Sequence, residues 1–213
     1  MDKPKYIQAV LLDLDGTLVD AFAPIIVAMR QTLAEFGLPA MTDQEIRRHT
    51  GRGDCSMAAL FGDSKEAATR RFIEIHDEMY LQDIQPMPGA EVLLQFLQKK
   101  NIPMAVVTSK GQHRAEAQLE VLGWLGYFGT IIGKLDGRAS KPSPEPLLLA
   151  CTNLRVAPEY TVMIGDGEAD MKAAVRAGCF GLGLTHAFSS KELEDSGASV
   201  CFSSLSEVLD WLK

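Results

Sequence analysis

The chain is poor in the features that mark sulfur, lipid or nucleic-acid chemistry. Among its 213 residues there are four cysteines, Cys55, Cys151, Cys179 and Cys201, scattered with no C-x-x-C pair. That spacing excludes a zinc knuckle and a disulfide framework, and predicts a reduced, cytoplasmic setting. Lys and Arg number 21 against 28 Asp and Glu, for a net charge of -7. No basic run exceeds two residues, so the cationic footprint of a nucleic-acid or anionic-membrane binder is missing. No apolar stretch approaches the roughly 20 residues of a membrane span, and the opening "MDKPKYIQAV" runs into a strand without a signal-peptide core. Repeats and low-complexity tracts are absent too. What remains is a chain with 46% hydrophobic residues, enough for one sizeable core or for a core with an insert.

Short Val- and Ile-rich runs predict strands at Ile7–Asp13, Pro103–Ser109, Gly129–Gly133, Thr161–Asp166 and Cys179–Thr185, with a last one near Val200. Between them "GAEVLLQFLQKKN", "QHRAEAQLEVLGWLG", "PEPLLLACTNLRV" and "EADMKAAVRAG" carry helical apolar spacing. This alternation predicts an α/β fold with a Rossmann-like parallel sheet and helices on both faces. From Asp20 to about Gln85 the pattern is helical only, with Thr42 and Ser64 as candidate N-caps, and the return "QPMPGA" reads as a linker. The predicted division is a core of residues 1–19 and 87–213 and a small helical domain of residues 20–86.

In open parallel sheets, ligands bind beyond the C-terminal ends of the strands. "AVLLDLDGTLVD" puts Asp13 and Asp15 there, two positions apart and so on one face. Thr108 and Ser109 end the second predicted strand. Asp166 ends the fourth, with Asp170 just beyond it, and Lys141 lies in the loop "GRASKPSPEP". Carboxylates gathered at one rim repel each other unless a cation offsets them. An all-oxygen donor set of this kind suits Mg2+, and hydroxyls and a lysine beside it suit an anion. Each element alone has a plainer reading as a turn, a helix cap or a solvated lysine; their order along the chain, at strand ends, favours a joint site.

"DLDGTLVD", "VVTSK", "SKPSPEP" and "GDGEADMKAAVRAG" resemble the four motifs of the haloacid dehalogenase superfamily, in particular its phosphoglycolate phosphatase-like branch, whose helical cap occupies the position of the insert. The resemblance implies an Mg2+-dependent phosphomonoester hydrolase. In it Asp13 is the nucleophile and Asp15 the general acid and base. Thr108, Ser109 and backbone amides of the first motif, including Gly16, hold the phosphoryl oxygens, and Lys141 compensates charge. The metal falls to Asp13, Asp166 and the carbonyl of Asp15, with Asp170 supporting Lys141 or a metal-bound water.

Departures from sister chemistries narrow the expectation. Asp15 speaks against dehalogenation, and Ile25 stands where the phosphoglucomutases carry a histidine. Substrate choice falls to the cap loop "RRHTGRGD", with Arg52 first and His49 second as contacts, whereas Phe22, Met29 and Phe36 read as cap core. The expected partner is a small phosphorylated metabolite of the phosphoglycolate or sugar phosphate kind, handled by a monomer or weak homodimer. The alternatives are a phosphosugar mutase, a pyrophosphatase, or a non-catalytic binding protein on the same fold.

Overall fold

A computed structural model describes residues 4–51 and 59–213. Its centre is a six-stranded parallel sheet in the order β5-β4-β1-β6-β7-β8. The strands are β1 (Ala9–Leu12), β4 (Met104–Gly111), β5 (Thr130–Lys134), β6 (Thr161–Gly165), β7 (Phe180–Leu184) and β8 (Val200–Phe202). Side chains alternate across a strand, and the two faces can be read directly from that period. Val10, Leu12, Val106, Ile164 and Leu182 pack with Leu93, Leu94 and Leu97 of α4 (Ala90–Lys99) and with Leu205 and Val208 of α9 (Leu205–Leu212). Leu11, Ala105, Val107 and Met163 turn to the opposite face. There they meet Leu147 and Ala150 of α6 (Glu145–Leu154) and Ala173, Ala174 and Ala177 of α7 (Glu168–Ala177). The alanines let α7 lie close on the sheet, which matters because its first turn carries Asp170. The family of predicted strands and intervening helices is thus present, including α5 (Gln112–Val121) after β4 and the short α8 (Ser190–Asp195) before β8.

The insert packs a separate cluster. Phe22, Ile25, Ile26, Met29 and Leu33 of α1 (Phe22–Glu35) meet Ile46 of α2 (Asp43–Gly51), Phe61, and Ala68 of α3 (Lys65–Asp77). Thr42 caps α2 as predicted: its hydroxyl accepts from Glu45 N at 3.3 Å while the Glu45 carboxylate accepts from Thr42 N at 2.8 Å. Ser64 does not cap α3 with its side chain. A 3₁₀ turn over Gly62–Ser64 leads into the helix instead, leaving the hydroxyl unused for that purpose.

One element escaped the sequence reading. The chain leaves and re-enters the core through an antiparallel ribbon of β2 (Val19–Asp20) and β3 (Gln85–Pro86), where a plain linker was expected. Two residues a side cannot show a period of two, and Pro86 argues against a strand except at an edge. Further contacts tie the insert to the core. Arg48 donates to Ala187 O at 3.0 Å, pairs with Glu192 and lies over the Phe188 ring. Arg114 forms a bidentate pair with Asp77, and Gln118 Nε2 donates to Tyr80 O at 2.9 Å.

Candidate active site

The end of β1 places Asp13 and Asp15 at the middle of the sheet's C-terminal rim, since β4 and β6 flank that strand. Asp13 N donates to Ile164 O at 2.9 Å, holding the first acid in ladder register with β6. Lys141 then binds the rim together. Its Nζ donates to Asp13 Oδ1 at 2.8 Å, to Asp170 Oδ1 at 2.5 Å and to Val107 O at 2.8 Å, and the side chain is 3% exposed. All three ammonium protons are therefore used, which fixes the lysine between the nucleophile candidate and α7.

Carboxylate oxygens of Asp13, Asp166 and Asp170 lie within 4.8 Å of one another. Burial pushes the Asp166 carboxyl well above its ordinary range, with the charges of Asp13 and Asp170 adding to the rise. Burial likewise raises Asp170, to about 6, against the pull of Lys141. Two acids made reluctant to ionise by burial and by the charge of Asp13 are a site that a divalent cation would complete. A close backbone approach supports the same fit. Gly16, at φ +84°, lies so near Asp166 that a Cβ there would run into its carboxylate, and Thr17 Oγ1 donates to Asp166 Oδ1 at 3.3 Å.

This arrangement sets a pH dependence. Asp170 has a folded pKa near 6 against an ordinary 3.8. At this group the metal-free fold therefore holds more protons than the unfolded chain across that window, and its contribution to stability is lost as pH rises through it. Acids held low, such as Glu192 at about 2 beside Arg48, already contribute fully above pH 5 and leave that trend intact. His76 runs the other way, because burial lowers its pKa to about 3 and the fold gains stability as pH rises toward 6.5. The Asp170 contribution is therefore read as a difference: from pH 5 to pH 7 the urea midpoint in EDTA is expected to fall for the unaltered protein relative to Asp170→Asn. A difference that stays constant or grows the other way would contradict the assignment.

Asp15 has a different neighbour from the one expected. Its carboxylate is gripped by Lys110, whose Nζ lies 2.9 and 2.8 Å from the two oxygens, and it is not among the clustered ligand atoms. Burial raises its pKa, while Lys110 opposes the rise and Asp13 adds to it. Lys110 was missed by the sequence reading although it ends the quoted "VVTSK". The signal was available, because Thr108 and Lys110 are two apart on β4 and share a face.

Thr108 and Ser109 both line the cavity over the rim. Thr108 Oγ1 accepts from Lys110 N at 3.2 Å, which leaves its own proton to donate. Gly16 departs from its expected role: its N–H donates to Val19 O at 2.8 Å and its carbonyl contacts His186 Nδ1 at 2.9 Å, so the amide does not serve a phosphate. His49 does not line the cavity, whereas its neighbour Thr50 does. Arg52 lies outside the described residues. Phe22, assigned to the cap core, packs in that cluster and also forms part of the cavity wall, as does Ile25.

A family model for haloacid dehalogenase-like hydrolases matches residues 10–183. The chain belongs to this family. It is similar to a phosphoglycolate phosphatase of Chromobacterium violaceum, 30% identical over 219 aligned positions that cover 98% of each protein. A phosphoglycolate phosphatase of Escherichia coli is also 30% identical, over 98% of this chain and 94% of its own. Among solved structures, a haloacid dehalogenase-like family hydrolase from Streptococcus pneumoniae superposes with a TM-score of 0.86 at 26% identity, covering 97% of this chain and 99% of that one. The six-stranded parallel core of this haloacid dehalogenase-like chain is therefore the fold of its structural neighbours. Its candidate site lies at the strand ends, within or beside the matched span.

Proposed function

We propose that the chain is an Mg2+-dependent phosphomonoester hydrolase that works through an aspartyl-phosphate on Asp13. It is a phosphatase of the haloacid dehalogenase superfamily, and the names of its relatives make phosphoglycolate the first compound to assay, with sugar phosphates beside it. The observation that carries the reading is Lys141, whose buried ammonium joins Asp13 to Asp170 beside Asp166. It leaves one carboxylate at the sheet's centre held for attack in a pocket already provided with compensating charge.

In the first half-reaction an Asp13 oxygen bonds to phosphorus as the ester oxygen leaves, and that oxygen takes its proton from Asp15. In the second, Asp15 removes a proton from water as the water oxygen bonds to phosphorus, and the Asp13–phosphorus bond breaks to release inorganic phosphate. Asp13, Asp166 and the Asp15 carbonyl would hold Mg2+, which when bound supplies charge compensation for the phosphoryl oxygens. Lys141 and the Thr108 and Ser109 hydroxyls complete that compensation. A substrate dianion competes with Asp15 for Lys110, so binding itself favours the protonated, acid form of Asp15. Ile25 at the cavity wall offers no proton-transfer group, consistent with hydrolysis over phosphoryl exchange. Residues 20–86 form the cap over this rim, and its closing excludes water from the first half-reaction.

Turnover of para-nitrophenyl phosphate is the direct test. Activity is expected with Mg2+, to vanish after exhaustive EDTA treatment and to return on adding Mg2+. Undiminished turnover in EDTA would remove the metal from this reading.

A further inference from the structure

The rim occupies only one end of a cavity of about 650 Å³ between core and insert. Beyond the carboxylates its wall becomes apolar, formed by Phe22, Phe61, Phe72, Ile73 and Leu135. Cavities of roughly 300–1,000 Å³ lined this way suit ligands of drug size, and glycolate, with two carbons and no apolar face, would leave most of such a wall uncovered.

Much of this wall is α3. Lys65, Thr69, Phe72, Ile73 and His76 all line the cavity and recur at intervals of four, three, one and three residues, which places them on one helical face. Two polar side-chain atoms of this helix, Thr69 Oγ1 and His76 Nε2, are buried and have no hydrogen-bond partner among the described residues. A buried polar atom left unpaired costs about as much as a lost hydrogen bond, and such atoms in native proteins call for a partner. His76 is 6% exposed and is kept neutral by burial and by the nearby cations Lys110 and Arg114, so it offers an uncharged nitrogen. Each side chain contributes to the wall while its unpaired atom is turned from the open cavity, so contact with a bound group requires a change of rotamer.

We infer that the inner face of α3 reads the leaving group through Thr69 and His76, and that this group is a nucleoside-sized body with an apolar face and a hydrogen-bonding edge. The inference rests on the phosphatase reading and adds the substrate class to it. A sugar phosphate, polar on every side, satisfies the two orphan atoms but not the apolar wall. Phosphoglycolate, whose carboxylate is an acceptor for both, likewise leaves the apolar wall uncovered.

The test measures kcat/KM in Mg2+ for acetyl phosphate, phosphoglycolate, glucose 6-phosphate and a set of nucleoside 5′-monophosphates. It uses the unaltered protein, Thr69→Val and His76→Phe. At least one nucleoside monophosphate is expected to exceed phosphoglycolate and glucose 6-phosphate by about tenfold or more, and each substitution to lower the nucleotide-to-acetyl phosphate ratio by about tenfold. Neither substitution removes a hydrogen bond, so neither should lower Tm. A preference for phosphoglycolate or glucose 6-phosphate, or ratios unmoved by both substitutions, would overturn the inference while leaving the phosphatase intact. An equal loss on every substrate with a fallen Tm would assign the pair to structure and overturn it as well. Failure to hydrolyse acetyl phosphate or any other compound of the set would overturn both readings together.

Discussion

Asp13→Asn is expected to abolish turnover and to yield no covalent phosphoenzyme, a loss of about 10⁴-fold or more that reflects removal of the reacting atom. The amide keeps the side chain's shape and its place at the end of β1, but it is a poor nucleophile and loses the charge that pairs with Lys141. Asp15→Asn should fail differently. Its side chain faces Lys110 and not Lys141, so the nucleophile's surroundings remain. With a leaving group that needs no protonation, the aspartyl-phosphate still forms, and its hydrolysis slows because no base activates water, a role commonly worth about 10²–10⁴-fold. Rapid quenching followed by intact mass would show a gain of about 80 Da, one phosphoryl group, in Asp15→Asn and none in Asp13→Asn. A stable phosphoenzyme in Asp13→Asn, or label mapped to Ser109, would leave the two acids as metal ligands alone.

Much of this site is legible in the sequence, for a physical reason. A parallel sheet delivers the ends of its strands to one rim, so acids that are remote in sequence but each placed at a predicted strand end must converge. Asp13, Thr108 and Asp166 were found that way, and the sheet order β4-β1-β6 is what makes them neighbours. Lys141 and Asp170 lie beyond strand ends, and the superfamily resemblance supplied their roles. The structure joins both to Asp13 through a single ammonium, 2.8 Å from Asp13 Oδ1 and 2.5 Å from Asp170 Oδ1. Lys110 was within reach of the strand rule, two residues beyond Thr108 on β4, and its pairing with Asp15 shows only in the structure. The other missed residues are those whose partners no strand rule sets. Thr69 and His76 lie on a helix whose outer and inner faces look alike in composition, since polar residues are expected on a helix surface anyway. Their missing hydrogen bonds become visible only when the insert is seen over the core. The ribbon of β2 and β3 was hidden by its brevity.

Lys141→Met is expected to be the most damaging substitution that leaves both reacting acids in place. Methionine matches the length of the lysine stem, so packing is roughly kept while the charge goes. What remains is a rim in which Asp13, Asp166 and Asp170 crowd within 4.8 Å with no buried cation among them. Removing one partner from a buried ion pair typically costs about 3–5 kcal/mol, because the other partner's desolvation is no longer offset. The Lys141 ammonium is held above its ordinary range, burial working against its charge while Asp13 and Asp170 favour it more. Its contribution is therefore complete below about pH 10 for as long as its partner acids are ionised, which for Asp170 means above about 6, and a measurement at pH 7.5 reads it. In EDTA the urea midpoint should drop steeply, and Mg2+ should recover part of the drop by binding the freed carboxylates. The double variant Lys141→Met, Asp170→Asn should be more stable than Lys141→Met alone, since it deletes one of the uncompensated charges. Activity should not follow stability: turnover in Mg2+ is expected to stay down by about 10²–10³-fold in both variants, because the donor aimed at Asp13 and the incoming phosphoryl group is gone. A Lys141→Met protein as stable in EDTA as the unaltered one would mean that the three acids are not ionised together in the metal-free fold. The charge argument for a cation among them would then lose its footing.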